Sequence, residues 1–223
     1  MATVLVTGSN RGIGLALCRV FKERGDHVIA TCRKSSADLE GMGVEIVADI
    51  DVTSDQAVAG LAQRLGERRI DVLVLNAGIL RQDSAKLSPA LDLETVQQQI
   101  AVNAIAPLRL ARALVAHLHA GSKIALITSR MGSIADNTSG SYYGYRMSKA
   151  AMNAMGMSLA RDLAARQIAV AILHPGYVST DMTAHAGNVA PKDAARMLVA
   201  RIDELTLATT GTFWHANGEQ LPW

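Results

Sequence analysis

Tyr145 and Lys149, in the run Tyr145-Arg146-Met147-Ser148-Lys149, are the residues of this chain best suited by type and spacing to acid–base chemistry. On a helix, positions i and i+4 share a face. A phenol normally loses its proton near pH 10, and an ammonium beside it favours the phenolate and lowers that value. Such a pair can give a proton to a carbonyl oxygen or take one from an alcohol. Tyr142 and Tyr143 compete for the role, but Arg146 and Met147 stand four positions after them where a lysine is needed. A tyrosine and a lysine at this spacing also occur on helices that do no chemistry, so the rest of the chain must decide.

A second constellation is Thr7-Gly8-Ser9-Asn10-Arg11-Gly12-Ile13-Gly14, which links a strand-like segment to a helix-like one. Glycines there permit a tight turn and close approach of a pyrophosphate to the backbone. The following helix N-terminus supplies free N–H groups and a partial positive charge. The spacing is GxxxGxG rather than GxGxxG, and its place between first strand and first helix favours a nucleotide over a plain turn. The second strand ends in Thr31-Cys32-Arg33, with no carboxylate at its tip; Asp26 precedes the strand and Asp38 lies well beyond it. An acidic residue at the tip would bind the ribose 2′-hydroxyl of NAD, whereas arginine accommodates the 2′-phosphate of NADP. Arg33 and Arg11 together favour NADP(H) over NAD(H).

The elements that must position these groups are legible as alternating apolar runs. Strands are predicted at Thr3–Thr7, His27–Thr31, Val44–Ala48, Asp71–Leu75, Lys123–Thr128, Ile168–Leu173 and Gly211–Trp214. The inner ones are continuous Val/Ile/Leu runs, the pattern of parallel strands buried on both faces. Helices are predicted at about 12–24, 54–66, 92–118, 145–166 and 191–203, with Ser54 and Pro191 as start signals. The alternation implies right-handed βαβ crossovers and a doubly wound α/β Rossmann sheet. No repeat, linker or low-complexity stretch divides residues 1–223, so a single dinucleotide-binding and catalytic domain is expected.

Composition excludes several classes. With 49% hydrophobic and 19% charged residues, the chain is neither disordered nor fibrous. The net charge of +2 is scattered, without the basic stripe of a nucleic-acid binder. No apolar stretch approaches the length of a membrane span, and no signal peptide opens the chain. Cys18 and Cys32 form neither a disulfide framework nor a zinc cluster, and a cytoplasmic location is expected. His117 and His119 resemble a metal pair only superficially. They are expected near the end of the 92–118 helix, where cations suit the dipole, and no metal site is predicted.

The order Gly8–Gly14, Asn76-Ala77-Gly78, Asn103, Ser129, Tyr145-x-x-x-Lys149 and Pro175-Gly176 resembles the short-chain dehydrogenase/reductase family over nearly the whole chain. Asp51-Val52 is similar to that family's adenine-contacting pair. The stretch Met131 to Gly140, the run His174 to Met182 and the ending Leu221-Pro222-Trp223 are most similar to its C-factor-like and carbonyl-reductase-like branch. The resemblance implies a seven-stranded, mainly parallel sheet of order 3-2-1-4-5-6-7. It also implies a hydride transfer between a nicotinamide cofactor and a small ketone or aldehyde and its alcohol. Ser129 would polarise the substrate carbonyl, with Ser133 as the competing position. Tyr145 would be the general acid, and Lys149 would lower its pKa and hold the nicotinamide ribose. Asn103 would distort its helix so that a water links Lys149 to solvent. Asn76, Ala77 and Gly78 would support the sheet and line the cleft. Pro175, Gly176, Val178 and Thr180 would close over the nicotinamide.

The segment Asp181 to Pro191 is short, so an accessible site is expected, lined by Met131, Met182 and His185. Met152, Met155 and Met157 read as packing residues, and Ala150, Ala151 and Ala154 permit close approach of another helix. The resemblance further implies a homodimer or homotetramer through the helices near 92–118 and 149–165. A different function class, nucleotide-binding signalling of C-factor type with little turnover, is the alternative. The serine, tyrosine and lysine together argue for chemistry.

Overall fold

The computed structural model describes residues 1–83 and 86–223. Its strands are β1 (Thr3–Thr7), β2 (His27–Thr31), β3 (Glu45–Val47), β4 (Ile70–Leu75), β5 (Leu118–Ile127), β6 (Ala169–His174) and β7 (Phe213–His215). They form one seven-stranded sheet in the order β3-β2-β1-β4-β5-β6-β7, parallel at every pairing rather than mainly so. The helices are α1 (Gly12–Glu23), α2 (Ala37–Glu40), α3 (Asp55–Leu65), α4 (Leu93–Ile100), α5 (Ala106–Leu114), α6 (Tyr143–Leu163) and α7 (Pro191–Glu204).

Alternate strand residues serve the two faces. Leu5, Ile29, Leu73, Ile124, Leu126 and Ile172 pack under α3, α5 and α6, while Val4, Val6, Val74, Ala125, Ala171 and Leu173 pack under α1 and α7. Burying each such side chain contributes about 1.5–3 kcal/mol, enough in sum to offset chain entropy. Ser54 caps α3 by accepting from Ala57 N, and Pro191 occupies the first turn of α7. The chain reverses its direction of winding between β1 and β4, which opens a crevice at the carboxyl ends of those strands.

The stretch expected as one helix over 92–118 is four pieces. Between α4 and α5 a π-helical turn spans Ala101–Ile105, and a 3-10 turn at Val115–His117 leads into β5 at Leu118. β5 therefore starts five residues before Lys123, with a register irregularity opposite Ile70–Val72. Ser122 explains the irregularity: its hydroxyl donates to Ile70 O at 2.8 Å and accepts from His119 N at 2.9 Å. His119 thus lies on a strand, not at a helix end, and its Nε2 pairs with Asp71 at 3.0 Å. The run Leu93–His117, with a mean hydropathy of 1.2, does reach a span's length and apolarity, contrary to expectation. The π turn interrupts it, and its inner face is buried against the sheet.

β7 has β6 on one side only. On its free side the chain's last residues fold back: Trp214 bridges Gln220 in the antiparallel sense, and Leu221 N donates to Phe213 O at 2.8 Å. Trp223 stacks on Phe213 with ring centroids 5.5 Å apart. Its carbonyl accepts from Ala135 N at 2.8 Å, tying this turn to the loop that precedes α6.

Candidate active site

The crevice holds a cavity of about 670 Å³ that runs from the β2 tip to the N-terminal half of α6. At its nucleotide end, Gly8 and Gly12 adopt φ of +67° and +55°, where a Cβ would strain the backbone. A Cβ on Gly14 would collide with the Gly8 carbonyl and the Asn76 side-chain amide. Asn76 holds this turn, donating from Nδ2 to Thr7 O at 2.9 Å and to Gly8 O at 3.2 Å. Thr7 Oγ1 in turn accepts from Asn76 N and Ala77 N at 3.0 and 3.1 Å, which joins the ends of β1 and β4. Arg11 is the N-cap of α1 and makes no side-chain cap bond, so the first-turn amides of Gly12, Ile13 and Gly14 have no intrahelical acceptor. Asn10, Arg33, Asp51 and Val52 complete this end. The Thr53 hydroxyl and amide hold the Asp51 carboxyl below the usual carboxylate range. A glycine cradle without room for a Cβ, open amides and two arginines at the rim suit a phosphorylated dinucleotide.

At the other end, Ser129, Tyr145 and Lys149 converge and are each at least nine-tenths buried. Ser129 follows β5 and caps the 3-10 turn Arg130–Gly132, accepting from Met131 N at 3.2 Å. Its hydroxyl faces the Tyr145 phenol and favours the ionised form. Ser133, the competing serine, is buried outside the cavity wall and accepts instead from Asp136 N at 3.1 Å. Gly132 packs so closely on the Lys149 carbonyl region that a Cβ would come within 2.7 Å of it. Lys149 Nζ donates to Ile127 O at 3.0 Å and lies 5.8 Å from the Tyr145 ring centroid. Tyr142 and Tyr143 do not line the cavity.

One expectation is reversed. Burial pushes the Tyr145 phenol up, and the nearby Ser129 hydroxyl only partly offsets it. Burial instead pushes the Lys149 ammonium down to about 8. In a water-poor pocket the desolvation of each charged form outweighs an ammonium whose own hydrogen bond goes to the Ile127 carbonyl.

The π turn brings Asn103 inward. Its Oδ1 accepts from Ile79 N at 2.8 Å, and its Nδ2 donates to Ile79 O at 2.8 Å and Ser148 Oγ at 3.0 Å. A Cβ on Gly78 would lie 3.2 Å from Asn103 Oδ1 and 3.7 Å from Lys149 Nζ, so the three residues meet around one small space.

Pro175, Gly176, Val178 and Thr180 line the reacting end from β6 onward, and Met131 and Met182 line its mouth. His185 does not. It lies at a left-handed turn, φ 58°, and its ring pairs with Asp181 at 3.2 Å, outside the cavity wall. His174 and Asp181 also line the cavity; the sequence marks both within the run His174 to Met182 but gives neither a site role. His174 precedes Pro175-Gly176, a local signal that was available; burial and His215 push its imidazole down to about 3. The pairing of Asp181 with Arg11 has no local signal, because the arginine lies 170 positions away.

The profile of the short chain dehydrogenase family matches residues 2–190. The 1-hydroxy-2-glutathionyl-2-methyl-3-butene dehydrogenase of Rhodococcus sp. (strain AD45) is 39% identical over 229 residues, covering 100% of both chains. The C-signal protein of Myxococcus xanthus is 37% identical over 159 residues, covering 69% of this chain and 93% of that one. Among solved structures, NADPH-bound carbonyl reductase from chicken fatty liver superposes with a TM-score of 0.87 at 27% identity, covering 100% of this chain and 99% of that one. Sheet order, glycine turn and the buried serine, tyrosine and lysine agree with that match, and the chain belongs to the short-chain dehydrogenase/reductase family of oxidoreductases.

Proposed function

We propose that residues 1–223 form one domain that reduces small carbonyl compounds with NADPH. The observation that carries this reading is that Ser129, Tyr145 and Lys149 share one cavity with an arginine-flanked glycine cradle. When bound, reduced nicotinamide supplies the hydride. The residues of the chain do the rest. Gly8, Asn10, Gly12, Ile13 and Gly14 receive the pyrophosphate, Arg11 and Arg33 the ribose 2′-phosphate, and Asp51 and Val52 the adenine. Asn76, Ala77 and Gly78 shape the floor, and Pro175, Gly176, Val178 and Thr180 cover the nicotinamide. Ser129 Oγ donates a hydrogen bond to the substrate carbonyl, and Tyr145 donates the proton that completes the alcohol. A phenol held protonated by burial suits an acid. Lys149 holds the nicotinamide ribose, and Asn103 supports the route by which its proton is replaced.

Small apolar or aromatic ketones and aldehydes suit a mouth lined by Met131 and Met182. The relative that is 39% identical over both full lengths acts, as its name states, on a hydroxylated glutathione conjugate, which favours a second reading as alcohol oxidation. Signalling of the C-signal kind is the minor alternative, supported by the 37% identity to that protein. Two buried thiols that form no disulfide suit the cytoplasmic location proposed for the chain.

Loss of nicotinamide absorbance in a screen of carbonyl compounds, with NADPH and NADH titrated separately, tests the reading. Tyr145→Phe is expected to lower turnover by about 10²–10⁴-fold while NADPH binding stays within about twofold. A variant that turned over normally would remove Tyr145 from the chemistry.

A further inference from the structure

Arg11 is assigned above to the ribose phosphate, yet its guanidinium already has a partner. Nη1 donates to Asp181 Oδ2 at 3.0 Å, and both side chains are more than half exposed. The other carboxylate oxygen, Oδ1, takes His185 Nε2 at 3.2 Å. Asp181 is presented by a built turn. Ser179 N donates to Val189 O at 2.9 Å and Val189 N to Tyr177 O at 3.1 Å, which closes the neck of the segment. Inside it, Thr183 Oγ1 donates to Val178 O at 2.7 Å and accepts from Thr180 N at 3.1 Å. Left-handed Ala184 and His185 then fold the His185 ring back onto Asp181. A Cβ on Gly12 would lie 3.4 Å from Thr180 Cγ2, so this turn sits against the glycine loop itself. The backbone that presents this short carboxylate is therefore held in place, whereas Arg11 is a long, exposed side chain free to change partner.

We propose that Asp181 sets cofactor preference by competing with the ribose 2′-phosphate for the Arg11 guanidinium, thereby reducing the advantage of NADPH over NADH. This rests on the reading of Arg11 and Arg33 as the 2′-phosphate site. Asp181 takes one donor of the guanidinium, Nη1, and holds Arg11 over the turn that carries Thr180 and Asp181, so that turning it toward a 2′-phosphate beside Arg33 breaks the pair. The more highly charged phosphate wins, at the cost of an exposed ion pair worth no more than about fivefold in an equilibrium constant. A dinucleotide lacking the 2′-phosphate leaves the pair intact and bears no such cost. Asp181 also repels every anion in the cavity. Its effect on the shared 5′-phosphate cancels between two ligands that differ only at the 2′ position, whereas its direct repulsion of the 2′-phosphate needs no arginine and persists in the Arg11→Ala background.

The test uses 2′,5′-ADP and 5′-AMP, which differ only in the 2′-phosphate, titrated by calorimetry into wild type, Asp181→Asn, Arg11→Ala and the double variant. Asp181→Asn is expected to tighten 2′,5′-ADP by about two- to fivefold more than 5′-AMP, and the difference should shrink to the direct repulsion in the Arg11→Ala background. Equal tightening of both nucleotides, no tightening of 2′,5′-ADP, or an undiminished difference without Arg11 would overturn the proposal. A wild-type protein that binds 2′,5′-ADP no better than 5′-AMP overturns the NADPH assignment as well. That outcome is read from the wild type alone, so the two failures are distinguishable.

Discussion

At Lys149, burial and charge oppose each other. The ammonium has the Ile127 carbonyl at 3.0 Å and the Met152 thioether at 3.8 Å, and no carboxylate partner among the described residues. With its folded pKa near 8 and an unfolded value of 10.5, the folded state gives up its proton first. Below pH 8 the lysine is charged in both states and its burial costs stability in full. Between pH 8 and 10.5 the unfolded chain binds more protons, so stability rises with pH. Lys149→Met is therefore expected to be more stable than wild type at pH 7, by on the order of 3 kcal/mol, with the gap shrinking across that window. Urea melts of both proteins from pH 7 to 10.5 measure it; a gap independent of pH would contradict the burial argument. The same deprotonation should make kcat/KM for carbonyl reduction fall above about pH 8 in a pH–rate profile of the wild type. Tyr145 and Lys149 were legible in sequence because their spacing is local. The direction of the tyrosine shift was not, because it depends on how completely β5 and the 3-10 turn after it enclose the ring.

At the level of elements, the π turn shows what periodicity hides. Its apolar pattern continues through residues 92–118, so the stretch reads as one helix. What breaks it is Asn103, whose amide serves both backbone groups of Ile79, 24 residues away. The family resemblance, not the apolar period, implied a distortion at Asn103, and the π turn lies there. Asn103→Ala would leave the Ile79 N–H and C=O without their side-chain partner and take from the Ser148 hydroxyl, which still donates to Tyr145 O, the one donor it accepts from. A loss of on the order of 3 kcal/mol in chemical denaturation is expected, against near-neutral effects for surface substitutions on the same helix. The strands were more legible than the helices. Their Val/Ile/Leu runs are dictated by burial on both faces, whereas the start of β5 is set by Ser122 and its bulge, which have no strand-like signature.

For the molecule as a whole, the outer faces of α5 and the π turn leave Ile105 49% and Leu108 47% exposed, and the small residues Ala151 and Ala154 of α6 are exposed as well. The homodimer or homotetramer implied by the family resemblance fits these faces, since apolar side chains of this size gain from removal from water. Leu108→Glu is expected to shift the sedimenting species toward the 23.6 kDa monomer. A wild type that already sediments as a monomer would refute the assembly. The sheet's other exposed feature is its margin. β3 is only three residues long, and Glu45 on it is engaged by Arg68 at 2.7 Å and His27 at 3.1 Å. On the opposite margin the returning residues from Glu219 to Trp223 occupy the hydrogen-bonding groups of β7. A foreign strand that approached from that side would find no free amide ladder to copy. The same few residues anchor the loop above Ser129, so solubility and active-site shape in this protein depend on one short piece of chain.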